Sequence, residues 1–284
     1  AWAWNAKRLN GVEIHKDSVI QSDTPIIIYK GLKVDSGAVL SIGAGTTLYF
    51  HNDAGIDVFG SLRCKGTADN NVVLRGDRID RMFDYLPYDR TPGQWQGVRL
   101  HASSYGNEIY HTDIHSSYNG IVADSFDLSK TKLVLSHSTI HNCQGTGLEA
   151  NNIKATIVNS QITNTLGNCV SITGGDVYIN SSTIAQFYPF DGMRGMALYA
   201  KLNKNLKRLN VMNSIITGYA DDVISITKED TNTDWQFSHC ILRTPKPATE
   251  DSTRMTNVIF EDVTDTTTMG VKHFNKIDTD NLIY

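Results

Sequence analysis

The sequence predicts an all-β chain, a single right-handed parallel β-helix of roughly 8–10 rungs. Three observations carry this. A short apolar-polar alternation recurs along much of the 284 residues. Each copy ends on Ile or Leu after passing through His, Asn or Ser, and each is followed by a turn and a second short apolar strand.

The copies are Leu133 to Ile140 (LVLSHSTI), Ala155 to Ile162 (ATIVNSQI), Val177 to Ile184 (VYINSSTI), Leu209 to Ile216 (LNVMNSII) and Trp235 to Leu242 (WQFSHCIL), with a weaker one ending at Ile114. The final residues are spaced by 26, 22, 22, 32 and 26 residues, one solenoid turn with loops of varying length. The second strands are Ile121-Val122, Leu148 to Ala150, Val170 to Ile172, Met196 to Leu198 and Val223 to Ile226. Three of them directly follow a glycine, which we expect to supply the positive φ of a tight corner. A leucine-rich repeat has a similar length but needs Leu at fixed places and a helical return. Here Ile, Val and Thr dominate and no helical period is sustained.

Upstream, Val39 to Phe50 and Ile56 to Leu74 alternate in period two and are punctuated by glycines, which makes them the first rungs, after a short strand from Pro25 to Tyr29. The expected organisation is residues 1–24 as an N-terminal cap or linker from a preceding domain, 25–243 as the β-helix, and 244–284 as an irregular segment packed on it.

Composition narrows the function classes. A net charge of −4 gives no basic footprint for nucleic acid. No apolar run is long enough to cross a bilayer as a helix. The cysteines, Cys64, Cys143, Cys169 and Cys240, show no CxxC or zinc spacing and are expected as small buried side chains.

Five of the nine histidines lie between His101 and His141. His111, His137 and His239 stand three places before the final Ile or Leu, where other copies carry Asn159, Ser181 and Asn213. These are residues that tolerate left-handed backbone, so the six are expected to form a structural corner ladder. His115 and His141 fall one place after the final Ile and are expected to face solvent. No metal site is predicted.

Asp221 and Asp222, before Val223, form an acidic pair able to share acid and base duties, and Glu149, in the same strand series, is the candidate second carboxylate. Two insertions carry aromatics. One, Arg78 to Gln96, holds Phe83, Tyr85, Tyr88 and Trp95. The other, Gln186 to Arg194, holds Tyr188, Phe190 and Arg194. Aromatic faces beside planar polar groups on long loops suit sugar binding.

Three segments carry a family resemblance: Gly31 to His51 (GLKVDSGAVLSIGAGTTLYFH), Gly60 to Arg78 (GSLRCKGTADNNVVLRGDR) and Leu86 to Leu100 (LPYDRTPGQWQGVRL). With them the chain resembles the pectin-lyase-like right-handed β-helix superfamily, and within it the β-helix lipoproteins of Bacteroidetes. The resemblance implies a cell-envelope location, a lipid anchor and a β-sandwich upstream of Ala1, and a polysaccharide or an envelope or host protein as partner. It does not carry over an active site. Asp221-Asp222 is similar to the second motif of the family-28 glycoside hydrolases. Asn232-Thr233-Asp234 matches their first motif by letter but follows the pair instead of preceding it, and Gly-His-Gly and Arg-x-Lys are lacking. Pectate lyases hold calcium on an Asp-rich cluster that is not matched here, so no cofactor is expected, with calcium the one left open. The expectation is a non-catalytic protein binding glycan or protein; the alternative is a polysaccharide lyase or glycoside hydrolase acting in a groove along the helix.

Overall fold

A computed structural model describes residues 5–84, 86–228, 234–246, 253–261, 264 and 272–273. Within them the chain coils through about nine turns, and 25 strands join by parallel pairing. A representative turn has three strands. Ile121–Asp124 lies in a first sheet, Leu133–Ser136 in a second and Thr139–Cys143 in a third. Each strand pairs in register with its counterparts one turn before and after, as Ile121 does with Val98 and Leu148.

The Ile-terminated segments lie on top of one another. Ile114, Ile140, Ile162, Ile184, Ile216 and Leu242 form one in-register column in the third sheet, none more than 1% exposed. Stacked strands are about 4.8 Å apart, so each aliphatic side chain is covered above and below by its own kind. The fold needs no helix: among the described residues the helical piece is one 3-10 turn, Tyr88–Arg90. None of the described helices is long and apolar enough to cross a membrane.

The strands begin earlier and end later than the spacing suggested. Residues 7–10 and 12–14 pair with 26–29 and 32–34, so the described part of segment 1–24 is a rung. Met255–Thr256 and Ile259–Phe260 extend the second and third sheets beyond residue 243. Three glycines before first-sheet strands serve another purpose than expected. Gly120, Gly147 and Gly195 are not at positive φ. A Cβ on Gly120 would lie 2.3 Å from the carbonyl oxygen of Gly147, and one on Gly147 would lie 2.6 Å from that of Cys169. Close approach of successive turns, not handedness, requires glycine there.

All four cysteines are free and buried. Burial pushes the Cys64 and Cys143 thiols up to about 12, which leaves them protonated and unreactive.

Candidate functional site on the third sheet

The residues singled out from sequence fall into three groups. At the corner between the second and third sheets, His111, His137, Asn159, Ser181, Asn213 and His239 all have left-handed backbone, with φ between 42° and 54°, and Asn257 continues the series. Several of their side chains link along the stack. The His111 and His137 rings lie 4.8 Å apart, Asn159 Nδ2 donates to His137 Nε2 at 3.1 Å, and Asn257 Nδ2 donates to His239 Nε2 at 2.9 Å. Asn213 differs, donating from Nδ2 to Asn180 Oδ1 at 2.9 Å.

The carboxylates do not converge. Asp221 and Asp222 are exposed in a turn, where Asp222 Oδ1 accepts from the Ile224 amide at 3.2 Å and from Thr244 Oγ1 at 2.7 Å. Glu149 accepts from Asn151 Nδ2 at 3.0 Å. In register Glu149 stacks on Ser171, then Tyr199, then Ser225. Three steps of about 4.8 Å put it about 14 Å from the strand that follows the pair. Two carboxyls that cleave a glycosidic bond lie about 5–10 Å apart. The expected grouping of Asp221, Asp222 and Glu149 therefore does not form. Of Asn232-Thr233-Asp234, the first two lie outside the described residues.

The aromatics largely serve packing. Trp95, expected as a sugar platform, is fully buried: it stacks on Phe50 with centroids 4.4 Å apart and donates from Nε1 to the His115 carbonyl at 2.8 Å. It pins the 78–96 insertion to the third sheet. Tyr88 lies under the Arg78 guanidinium at 3.8 Å, Phe83 is exposed, and Tyr85 lies outside the described residues. In the second insertion Tyr188 is buried, with exposed Phe190 edge-on to it at 5.5 Å. Arg194 Nη1 donates to the Tyr188 carbonyl at 2.6 Å while its guanidinium covers Tyr219, so it fastens the loop.

What the structure does bring together is the outer face of the third sheet. Alternation turns Ile114 and Ile140 inward and their neighbours outward. One outer column runs Asp113, Thr139, Gln161, Thr183 and Ile215; the next runs His115, His141, Thr163, Ala185 and Thr217. His115, expected at the surface, is 4% exposed because the 78–96 insertion folds over it. Its Nδ1 donates to Asp113 Oδ1 at 3.2 Å, and its Nε2 faces Asp89 Oδ1 at 3.1 Å. Arg75 Nη1 holds the same Asp89 oxygen at 2.7 Å, and Ser116 Oγ donates to the Asp89 carbonyl at 2.6 Å. His141 stacks on His115 at 4.9 Å and donates from Nε2 to Asp113 Oδ1 at 3.1 Å.

Burial works against charge on both Asp113 and His115, but the hydrogen bonds between them outweigh it. The Asp113 carboxyl is held well below the usual carboxylate range and the His115 imidazole is raised. Asp89 is lowered chiefly by its hydrogen bond from His115. A neutral imidazole donates from one nitrogen only, so the protonated ring is the form that satisfies both carboxylates.

Beginning one turn beyond His141, a groove of about 370 Å³ lies on the same face, lined by Gln161, Thr163, Asn164, Thr183, Phe187 and Thr217, with His273 at its border. Past its far end Glu261 is buried, accepting from Thr217 Oγ1 at 2.9 Å and from His273 Nδ1 at 2.5 Å. Burial raises its carboxyl, and those donors more than offset this, bringing it down to about 2.

By fold and site this is a single-chain parallel β-solenoid with a groove flanked by insertions on one of its three sheets. Residues 9–184 match the family model for the right handed beta helix region, more than half of the chain, and the chain belongs to that family. The search of curated proteins found no match. Among solved structures, the Dettilon tailspike protein (gp208) aligns with 10% sequence identity and a TM-score of 0.29. That alignment covers 89% of this chain, which spans 61% of the tailspike chain.

Proposed function

We propose that this protein binds a polysaccharide chain laid along the outer face of the third sheet. The observation that carries the reading is the groove itself, of about 370 Å³, crossing the turns that hold Gln161, Thr183 and Ile215. A solenoid presents equivalent side chains every 4.8 Å or so, which suits a linear polymer better than a compact ligand. Gln161, Asn164 and Thr183 offer amides and a hydroxyl for sugar hydroxyl groups, and Phe187 offers an apolar ring. Binding without cleavage is the favoured form, because Asp221, Asp222 and Glu149 are not assembled into a cleaving pair. A place in the cell envelope, in contact with surface glycans, belongs to the same reading.

The test is affinity electrophoresis and calorimetry of the purified chain against a panel of neutral and acidic polysaccharides, scored also for reducing ends and unsaturated products. Thr183→Trp should fill the groove and abolish binding, while Asp222→Asn, in the distant turn, should bind like the wild type. Absence of binding across the panel, or binding indifferent to Thr183→Trp, would refute the proposal.

A further inference from the structure

We propose that Asp113, His115 and His141 form a binding site for one divalent transition-metal ion of the zinc class. One carboxylate oxygen and two imidazole nitrogens offer a ligand atom each, all within 4.8 Å of one another. Asp113 Oδ1 lies 3.2 Å from His115 Nδ1 and 3.1 Å from His141 Nε2. A metal bonded at about 2.0–2.1 Å in a tetrahedron sets its ligand atoms roughly 3.3 Å apart, so two of the three separations are close to those of a coordinated set.

The constellation follows from the fold. Asp113 and His115 are two apart on one strand and so emerge on the same side, while His141 is the in-register partner of His115 one turn on. Backbone pairing on both sides fixes these positions before any ion arrives, which lowers the ordering cost of binding.

A second observation points the same way. Metal-bound histidines commonly give their other ring N–H to a carboxylate, which sets the tautomer and the ring orientation. His115 Nε2 already faces Asp89 at 3.1 Å, and Asp89 is itself held by Arg75 at 2.7 Å. On binding, the hydrogen on His115 Nδ1 leaves to solvent and the one shared with Asp89 stays, while His141 presents Nε2 as a neutral imidazole with its single hydrogen on Nδ1.

Exposure is graded in a useful way. The His115 side chain is 5% exposed, those of His141 and Asp113 26% and 31%, so the cluster is closed on the insertion side and open on the other. Three protein ligands with an open position leave room for water or a ligand hydroxyl. Imidazole nitrogen disfavours calcium and magnesium, which take oxygen.

The experiment uses the full chain stripped with a chelator and titrated with Zn(II) or Co(II) alone, with no polysaccharide present, so its outcome is independent of the glycan reading. The wild type should take up one equivalent, with Co(II) showing the visible absorption of a low-coordinate site. His141→Ala should abolish that absorption. Asp89→Asn should weaken Zn(II) binding about 10–100-fold at unchanged stoichiometry. His137→Asn, at the corner ladder, should bind normally. Each variant is checked for the wild-type circular dichroism spectrum; should His141→Ala fail it, His141→Gln carries the same expectation. No stoichiometric uptake by the wild type, uptake indifferent to His141 replacement, or equal loss in His137→Asn overturns the proposal.

Discussion

Replacing Asn159 by glycine and, separately, by alanine isolates what the corner ladder contributes. Asn159 has φ of 47°, is exposed, and pairs its backbone N–H with the Asn180 carbonyl at 3.1 Å. A left-handed residue with a Cβ costs about 1–2 kcal/mol, which asparagine partly escapes through local hydrogen bonds and glycine escapes altogether. The Asn159 bond to His137 is solvent-facing, so its loss sits at the low end of about 0.5–1.5 kcal/mol. Alanine loses the bond and keeps the backbone cost; glycine loses the bond and relieves it. Asn159→Ala should therefore cost about 1–2 kcal/mol and Asn159→Gly no more than about 0.5. Thermal unfolding followed by circular dichroism resolves this, since each kcal/mol moves the midpoint by about 2–4 °C in a chain of this order of size. If glycine lowers the midpoint as much as alanine does, the side-chain stack holds the corner and the backbone argument fails.

Two further outcomes follow from buried groups. Ile162→Ala, in the middle of the aliphatic column at 1% exposure, should cost about 2–5 kcal/mol by urea or thermal unfolding, and a cost under 1 kcal/mol would contradict the packing described. Glu261, lowered from 4.5 to about 2 in the folded chain, contributes stability that is present above pH 4.5 and lost as the pH falls from there toward 2. Glu261→Gln should flatten the fall in melting temperature over that window, and an unchanged slope would count against the Thr217 and His273 contacts.

The parts of this molecule that were legible in sequence are those that repeat. The Ile column shows as a period because every turn must bury the same inward position, and any slip by one residue would turn aliphatics to water. The corner shows because Asn, His and Ser recur where the backbone is left-handed. A second left-handed series, Ser116, Asn142 and Asn164, lies one place beyond His115, His141 and Thr163 and was open to the same alignment. At Gly120, Gly147 and Gly195 the pattern shows that glycine recurs and not whether φ or close approach demands it.

The site was obscured for a different reason. Sequence put His115 and His141 in one outward column, and the structure keeps them there. What it adds is the cover: Trp95 wedged on Phe50, and Asp89 reaching His115 from 26 residues upstream. A contact between an insertion and a rung occurs once, has no period, and so leaves no pattern to align. The carboxylates are the opposite case: Glu149 and the Asp221–Asp222 turn belong to one strand series but to turns three apart. For two side chains that share a column, adjacency of turns decides whether they can act together, and His115 with His141 meets that condition where Glu149 and the Asp221–Asp222 turn do not.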